Sequence, residues 1–566
     1  MAYDLVIKNG MVVDGSGGAR YRADVGVKDG RIATIGRIAA PADETIDAEG
    51  QVVAPGFVDG HTHMDAQIFW DSLGSCSCYH GVTSVVMGNC GFTLAPCREE
   101  EVDYVFLNLE RAEDISREAM LAGIKWQWET YPEYLDAIDK LPKGMNYAGY
   151  VGHSALRTYV MGERAFEEQA SEDDLKAMIA NVQDAVRAGA IGFSTSRSPA
   201  HLRPDDRPVA SRIADFDEVR SIVNGMGEIG AGIFQLAMER GDEPYLQSFY
   251  RRLAALAQES GRPITFGALN RREVPGAWKG LYEIIEESNQ NGGRMFTQVQ
   301  SREINTVLSF ETQLPFDRWP VWEDFRKLPL AEQLAGLRDP EMKQKLIAAA
   351  ERPASNLTVT GGEARPPEWD HFYLMDKATW PHRTLAEIAA ERGCSPIEAM
   401  LDIAVERELN VFFRQPISNH DMDEALAVMK HPRSCITFSD SGAHVSQIMD
   451  SSLQTHLLSY WVRDRQAFTL EEAVRKITYE TATNWGFHDR GLLREGLAAD
   501  IVVFNPDTVA PKMPTVEYDL PAGAQRLKQE AEGIMATVIN GQIVLRDNQP
   551  TGALPGQLLR GPLARA

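Results

Sequence analysis

Three residue types in the sequence suit metal chemistry, and each stands just after an apolar run. The first is the pair His61-Thr62-His63 in PGFVDGHTHMD. On an extended strand residues i and i+2 point to the same side, so two imidazoles converge on one point and make half a metal site. A strand-terminal histidine pair also occurs as plain structure. The second is Cys90 in VVMGNCGFT, flanked by Gly88 and Gly91. A thiolate is a good zinc ligand, and glycines let backbone and ligand approach closely. The alternative is a small buried residue in a turn. The third is Asp440 in SCITFSDSGAH, with His444 four residues on.

The elements that must position these residues read as an α/β chain. Short apolar runs at 52–60, 82–89, 146–153, 190–196, 231–238, 263–270, 294–300 and 434–440 alternate with helix-like stretches such as SEDDLKAMIANVQDAVRAG. Eight such repeats predict a (β/α)8 barrel of the TIM type, whose chemistry gathers at the carboxyl ends of the strands. In a closed barrel strand eight neighbours strand one, which sets Asp440 opposite His61 and His63. About 130 residues separate the seventh and eighth runs, and this helix-rich segment reads as an insertion above the barrel mouth, a lid or an oligomer contact. Residues 1–56 give short strands with Asn-Gly, Asp-Gly and Glu-Gly turn signals, and a matching pattern returns near the end. The expected division is a small β-sandwich from 1–56 and 481–566, a metal-dependent hydrolase barrel from 57–300 and 431–480, and a helical insertion at 301–430.

Composition narrows the function. The 566 residues carry 57 Lys and Arg against 81 Asp and Glu, a formal net charge of −24, which opposes binding to nucleic acid or anionic lipid. A small-molecule substrate becomes the expectation, with no nucleic acid or membrane partner and homo-oligomerisation left open. Six cysteines in so long a chain fit a reducing compartment, and no signal-like or membrane-spanning segment is evident, so a cytoplasmic protein is expected.

With the motifs YDLVIKNGMVVDGSG, PGFVDGHTHMD, VVMGNCG, VGHSALR, GAIGFSTS and FSDSGAHV in view, the chain resembles the amidohydrolase superfamily and, within it, the N-acyl-D-amino-acid deacylases (D-aminoacylases). The resemblance spans nearly the whole chain. It implies that His61 and His63 bind metal, that Cys90 is the cysteine ligand standing where other amidohydrolases use a carboxylated lysine, and that Asp440 is the catalytic aspartate. The chain departs from the family in its later strands. None of its 12 histidines lies between His201 and His371, and strands five to seven offer Gln235 and Gln298 instead. One zinc ion held by His61, His63, Cys90 and Asp440 is therefore expected, and a second site is doubtful.

The expected activity is zinc-dependent hydrolysis of the amide of an N-acyl amino acid, of D configuration by resemblance. The metal lowers the pKa of water, and Asp440 serves as general base and then general acid. His153, in VGHSALR, is the candidate stabiliser of the oxyanion; its alternative is a histidine bridging loops. Arg157, Arg197 and His444 are candidates for substrate binding, with His201 in the same loop as Arg197 and with Arg271 and Arg272 as further anion-binding candidates. Glu239 is expected to face solvent. Two other readings stand beside this one: a single-metal enzyme acting on a lactone, cyclic imide or carboxyl group, and a non-catalytic scaffold that kept the barrel.

Overall fold

The computed structural model describes residues 2–351 and 365–565. At its centre is an eight-stranded parallel sheet. Its strands, in chain order, are one (Phe57–Asp59), two (Val82–Met87), three (Asn146–Gly152), four (Gly192–Ser196), five (Ile233–Ala237), six (Ile264–Gly267), seven (Met295–Val299) and eight (Ser434–Ile436). Strands one to four, seven and eight are buried along their whole length. This is why they read as continuous apolar runs rather than alternating ones.

The sheet curls until its two edges meet. Past strand one, Thr62 bridges Ser441 in parallel fashion. The His63 amide donates to the Ser441 carbonyl at 2.7 Å, and the Asp440 amide to the His61 carbonyl at 3.2 Å. The segments that carry the histidine pair and the aspartate are thus held side by side by backbone hydrogen bonds.

Helices on the outside begin where the sequence supplies caps. Ser171 and Asp174 form a capping box for Glu172–Ala188, and Asp215 and Asp242 cap Phe216–Glu228 and Glu243–Ser260. Each side chain accepts from an amide that would otherwise be unpaired at the helix start.

The two ends of the chain share one sheet. Ile501–Phe504 pairs antiparallel with Val52–Pro55, which pairs with Tyr3–Val12. Hydrogen bonding thus links strands from both ends of the chain into one nine-stranded sheet. Alternate residues of these strands join two apolar clusters. Val52, Ala54, Val502 and Phe504 join the core of the central parallel sheet, while Val53, Ile501 and Val503 join a separate apolar cluster with Leu5, Val25 and Val538. Asp29-Gly30 and Asn540-Gly541 are turns with positive φ at both residues, as two-residue hairpins require. Asn9-Gly10 is not a turn: it is a bulge inside Tyr3–Val12, where the register shifts between Ile7 and Gly10. The run 52–60 likewise splits, at Gly56, between the two sheets.

The long segment between strands seven and eight is not wholly helical. It holds a four-stranded antiparallel sheet of Ile304–Leu308, Phe412–Ser418, Tyr373–Met375 and Arg383–Thr384, with its own core around Phe316, Trp322 and Phe413. Polar β-branched stretches such as INTVL lack long apolar runs, so composition alone read as loop and helix there. Among the described residues no helix is long and apolar enough to cross a membrane.

Candidate metal centre

His61 and His63 follow strand one, Cys90 follows strand two, and Asp440 follows strand eight. The ligand atoms of His61, His63 and Cys90 all lie within 4.8 Å of one another. His61 Nε2 is 3.2 Å and His63 Nε2 3.4 Å from Asp440 Oδ1, and Cys90 Sγ is 3.4 Å from His61 Nε2. A tetrahedral ion with bonds of about 2.0–2.3 Å needs donor separations of roughly 3.3–3.8 Å. The donor set fits a borderline-soft divalent cation such as zinc, with imidazole, thiolate and carboxylate ligands.

Local backbone makes this convergence. Cys90 and Asp440 adopt positive φ, 56° and 52°, and His444 does so at 48°. Such conformations cost free energy in residues other than glycine and collect at functional sites. Gly91 lets the Cys90 turn lie against strand four: a Cβ there would stand 3.0 Å from Thr195 Cα. Gly442 does the same beside Asp440, where a Cβ would be 2.6 Å from the His63 carbonyl oxygen.

The glutamines of the later strands hold the ligands. His61 Nδ1 lies 2.5 Å from Gln298 Oε1, and because that oxygen only accepts, the ring proton sits on Nδ1 and Nε2 is left free toward Cys90 and Asp440. Gln235 Oε1 accepts from the Cys90 amide at 2.7 Å. Side chains of strands five and seven thus brace the Cys90 turn and the His61 ring.

Electrostatics show what the cluster needs. Burial pushes the His63 imidazole down to about 4, so it is neutral and able to ligate at ordinary pH. Burial also raises the Asp440 carboxyl, but the neighbouring His61 and His63 imidazoles outweigh it and hold the group well below the usual carboxylate range. Burial, then the charges of Glu113 and Asp440, push the Cys90 thiol well above its ordinary value. A cation among these groups reverses that last effect, since a coordinating thiol is deprotonated outright.

The cluster opens into a cavity of about 400 Å³ lined by His61, His63, Cys90, Asp440 and residues of several loops. Asp440 is the most exposed of the four, with 14% of its side chain accessible against 1% and 2% for the histidines. His444 and His201 line the same cavity. Of the anion-binding candidates, Arg271 lines it too, together with Arg240 and Arg365. Ile304, Thr306, Ile417 and Ser418 bring one edge of the inserted segment to its wall.

Three sequence-based expectations do not reach the cavity. His153 and Arg157 are completely buried and both pair with Glu218. His153 Nδ1 meets Thr195 Oγ1 and Nε2 meets Glu218 Oε1, each at 2.8 Å, so neither nitrogen is available to an oxyanion. The helix His153–Met161 starts directly after strand three and turns both side chains toward the helix layer. Arg197 is tied to Glu239 at 3.0 Å and lies in a neighbouring hollow. Glu239, for its part, is not solvated: 9% of its side chain is exposed. The sequence reading missed Glu113, from the connection between strands two and three, where NLERAEDIS carries no pattern that marks one acidic residue above the others.

The fold agrees with what the chain resembles. Residues 44–545 match the amidohydrolase family model, and residues 1–56 also match the N-terminal domain of the urease alpha-subunit. The D-aminoacylase of Alcaligenes xylosoxydans xylosoxydans is 28% identical over 98% of this chain and 97% of that protein. The N-acyl-D-glutamate deacylase of the same organism is also 28% identical, over 98% and 96%. The crystal structure of N-acyl-D-glutamate deacylase from Bordetella bronchiseptica, complexed with zinc and a phosphonate inhibitor, superposes with a TM-score of 0.66 at 25% identity, covering 99% of this chain and 100% of that one. The chain belongs to the amidohydrolase family. It is a hydrolase that acts on carbon–nitrogen bonds other than peptide bonds, and it is similar along nearly its whole length to the D-aminoacylases.

Proposed function

We propose that this chain is a zinc-dependent deacylase that hydrolyses the amide of an N-acyl amino acid. The observation that carries the reading is the convergence of His61, His63, Cys90 and Asp440 at the floor of one cavity. The relatives named for N-acyl-D-glutamate and D-amino acid deacylation favour the D configuration.

His61, His63, Cys90 and Asp440 would hold the ion, and a bound zinc ion would make water nucleophilic at neutral pH and polarise the scissile carbonyl. Asp440 faces the cavity more openly than the other three. Its carboxylate accepts the proton of the attacking water and delivers it to the departing nitrogen. His201 is partly buried, and desolvation pushes its imidazole down to about 3, so it serves the cavity as a neutral hydrogen-bonding group. Arg240, Arg271 and Arg365 give one wall a positive charge that counters the −24 of the whole chain and suits the carboxylate of an amino acid. His153 and Arg157 take no part in the chemistry.

The test is incubation of the zinc-loaded protein with a panel of N-acyl-D- and N-acyl-L-amino acids, with free amine as the readout. Asp440→Asn is expected to lower kcat/KM by about 10²- to 10⁴-fold. No amine from any panel member, in protein with a full complement of metal, overturns the proposal.

A further inference from the structure

Glu113 is a buried carboxylate that meets two histidines and, among the described residues, no lysine or arginine. It lies on the turn after helix Val102–Leu109 and is 1% exposed. Its Oε2 is 3.6 Å from His63 Nε2 and 3.6 Å from His444 Nε2, while its Oε1 has no hydrogen-bond partner. Among the described residues no lysine or arginine forms an ion pair with it. A carboxylate taken out of water needs a cation or several donors to remain there.

Its position is held, not accidental. The His444 amide donates to the Glu113 carbonyl at 2.5 Å. Next along the chain, Asp114 accepts from Ser446 Oγ at 2.6 Å and from Gln447 Nε2 at 3.2 Å. The loop after strand eight therefore grips the turn from both sides and presents Glu113 to the cavity that His61, His63, Cys90 and Asp440 share.

His63 Nε2 faces two carboxylates at once, Asp440 at 3.4 Å and Glu113 at 3.6 Å. An ion bound by that nitrogen and by Asp440 has Glu113 as its next oxygen donor. In strands five and seven the acceptor oxygens of Gln235 and Gln298 already serve Cys90 and His61. We propose that Glu113 is a further metal ligand, which stands in for the donors missing from strands five to seven. The inference rests on the metal reading of the preceding subsection.

The test uses Co²⁺ as the probe. Protein stripped by chelation is titrated with Co²⁺ in competition with a chromophoric chelator, for wild type, Glu113→Gln and Glu113→Ala, with circular dichroism to verify folding. In wild type a thiolate-to-cobalt charge-transfer band reports an ion on Cys90. Glu113→Gln is expected to keep that band, to bind Co²⁺ about 10-fold or more weakly, and to show stronger d–d absorption as the coordination number falls. Glu113→Asp should recover part of the affinity. Unchanged affinity and d–d spectrum in folded Glu113→Gln overturn the inference. A wild-type protein with no thiolate band overturns the metal reading and this inference with it.

Discussion

Gln298 accepts the Nδ1 proton of His61 at 2.5 Å, and this contact decides which nitrogen of the ring faces the metal cluster. Without an acceptor at that place the imidazole is free to change tautomer or to rotate. Partners of this kind fix ligand orientation, and their loss costs about 10- to 100-fold in metal affinity. Gln298→Leu is therefore expected to weaken Zn²⁺ binding by that factor, measured by competition with a chromophoric chelator. Gln298→Glu, a stronger acceptor, should bind at least as tightly as wild type. Equal affinity in wild type and Gln298→Leu refutes the role.

Dependence of activity on metal follows from the same cluster. Cys90 contributes the soft donor, and its thiol is held protonated by burial and by the charges of Glu113 and Asp440 unless a cation is present. Exhaustive chelation should abolish amine release, and stoichiometric Zn²⁺ should restore it. Cys90→Ser should retain fold and lower zinc content, read by elemental analysis of the purified protein. Full zinc content in Cys90→Ser removes this residue from the ligand set.

The convergence of His61, His63, Cys90 and Asp440 was legible in the sequence because strand periodicity and strand-end position are local properties. His61 and His63 needed only an extended segment, and Asp440 only the rule that strand eight neighbours strand one. The reading failed where a residue's partner lies far along the chain. His153 looked catalytic at the end of strand three, but Glu218, 65 residues on, takes its Nε2. Glu113 was invisible because its distance from His63 depends on how the loop after strand eight folds back, which no periodicity records. Gln235 and Gln298 were seen as missing ligands; their supporting role appears only when the strands lie side by side. The nine-stranded sheet was half legible: its strands and turns were local, while the pairing of Ile501–Phe504 with Val52–Pro55 joins residues far apart in the chain.

Charge on the cavity wall should govern substrate choice. Arg271 lines the cavity beside Arg240 and Arg365, and hydrogen bonds to a charged group contribute about 1.5–3 kcal/mol. Arg271→Ala is expected to raise KM for N-acyl amino acids by roughly 10- to 100-fold, with kcat little changed. The same variant should treat an N-acyl amine that lacks a carboxylate much as wild type does. An equal loss on both substrates would mean that Arg271 shapes the cavity instead of reading the charge.

Glu218 links pH to stability away from the chemistry. Its side chain is buried between His153 and Arg157. Burial alone would raise its carboxyl, but those two partners outweigh it and bring the group down to about 2, from an ordinary 4.5. A depressed acid stabilises the native state above its unfolded pKa and loses that contribution as pH falls toward the folded value, so the effect is complete above about pH 5 and fades between about 4.5 and 2. A shift of this size corresponds to about 3 kcal/mol. Acid unfolding followed by circular dichroism should show wild-type stability falling through that window, whereas Glu218→Gln, less stable at pH 7, should change little there. Arg157→Ala, which leaves Glu218 buried without its strongest cation, should cost about 3–5 kcal/mol while the folded fraction keeps its kcat/KM. Parallel acid curves for wild type and Glu218→Gln, or a loss of turnover in folded Arg157→Ala, would contradict the assignment of this trio to structure.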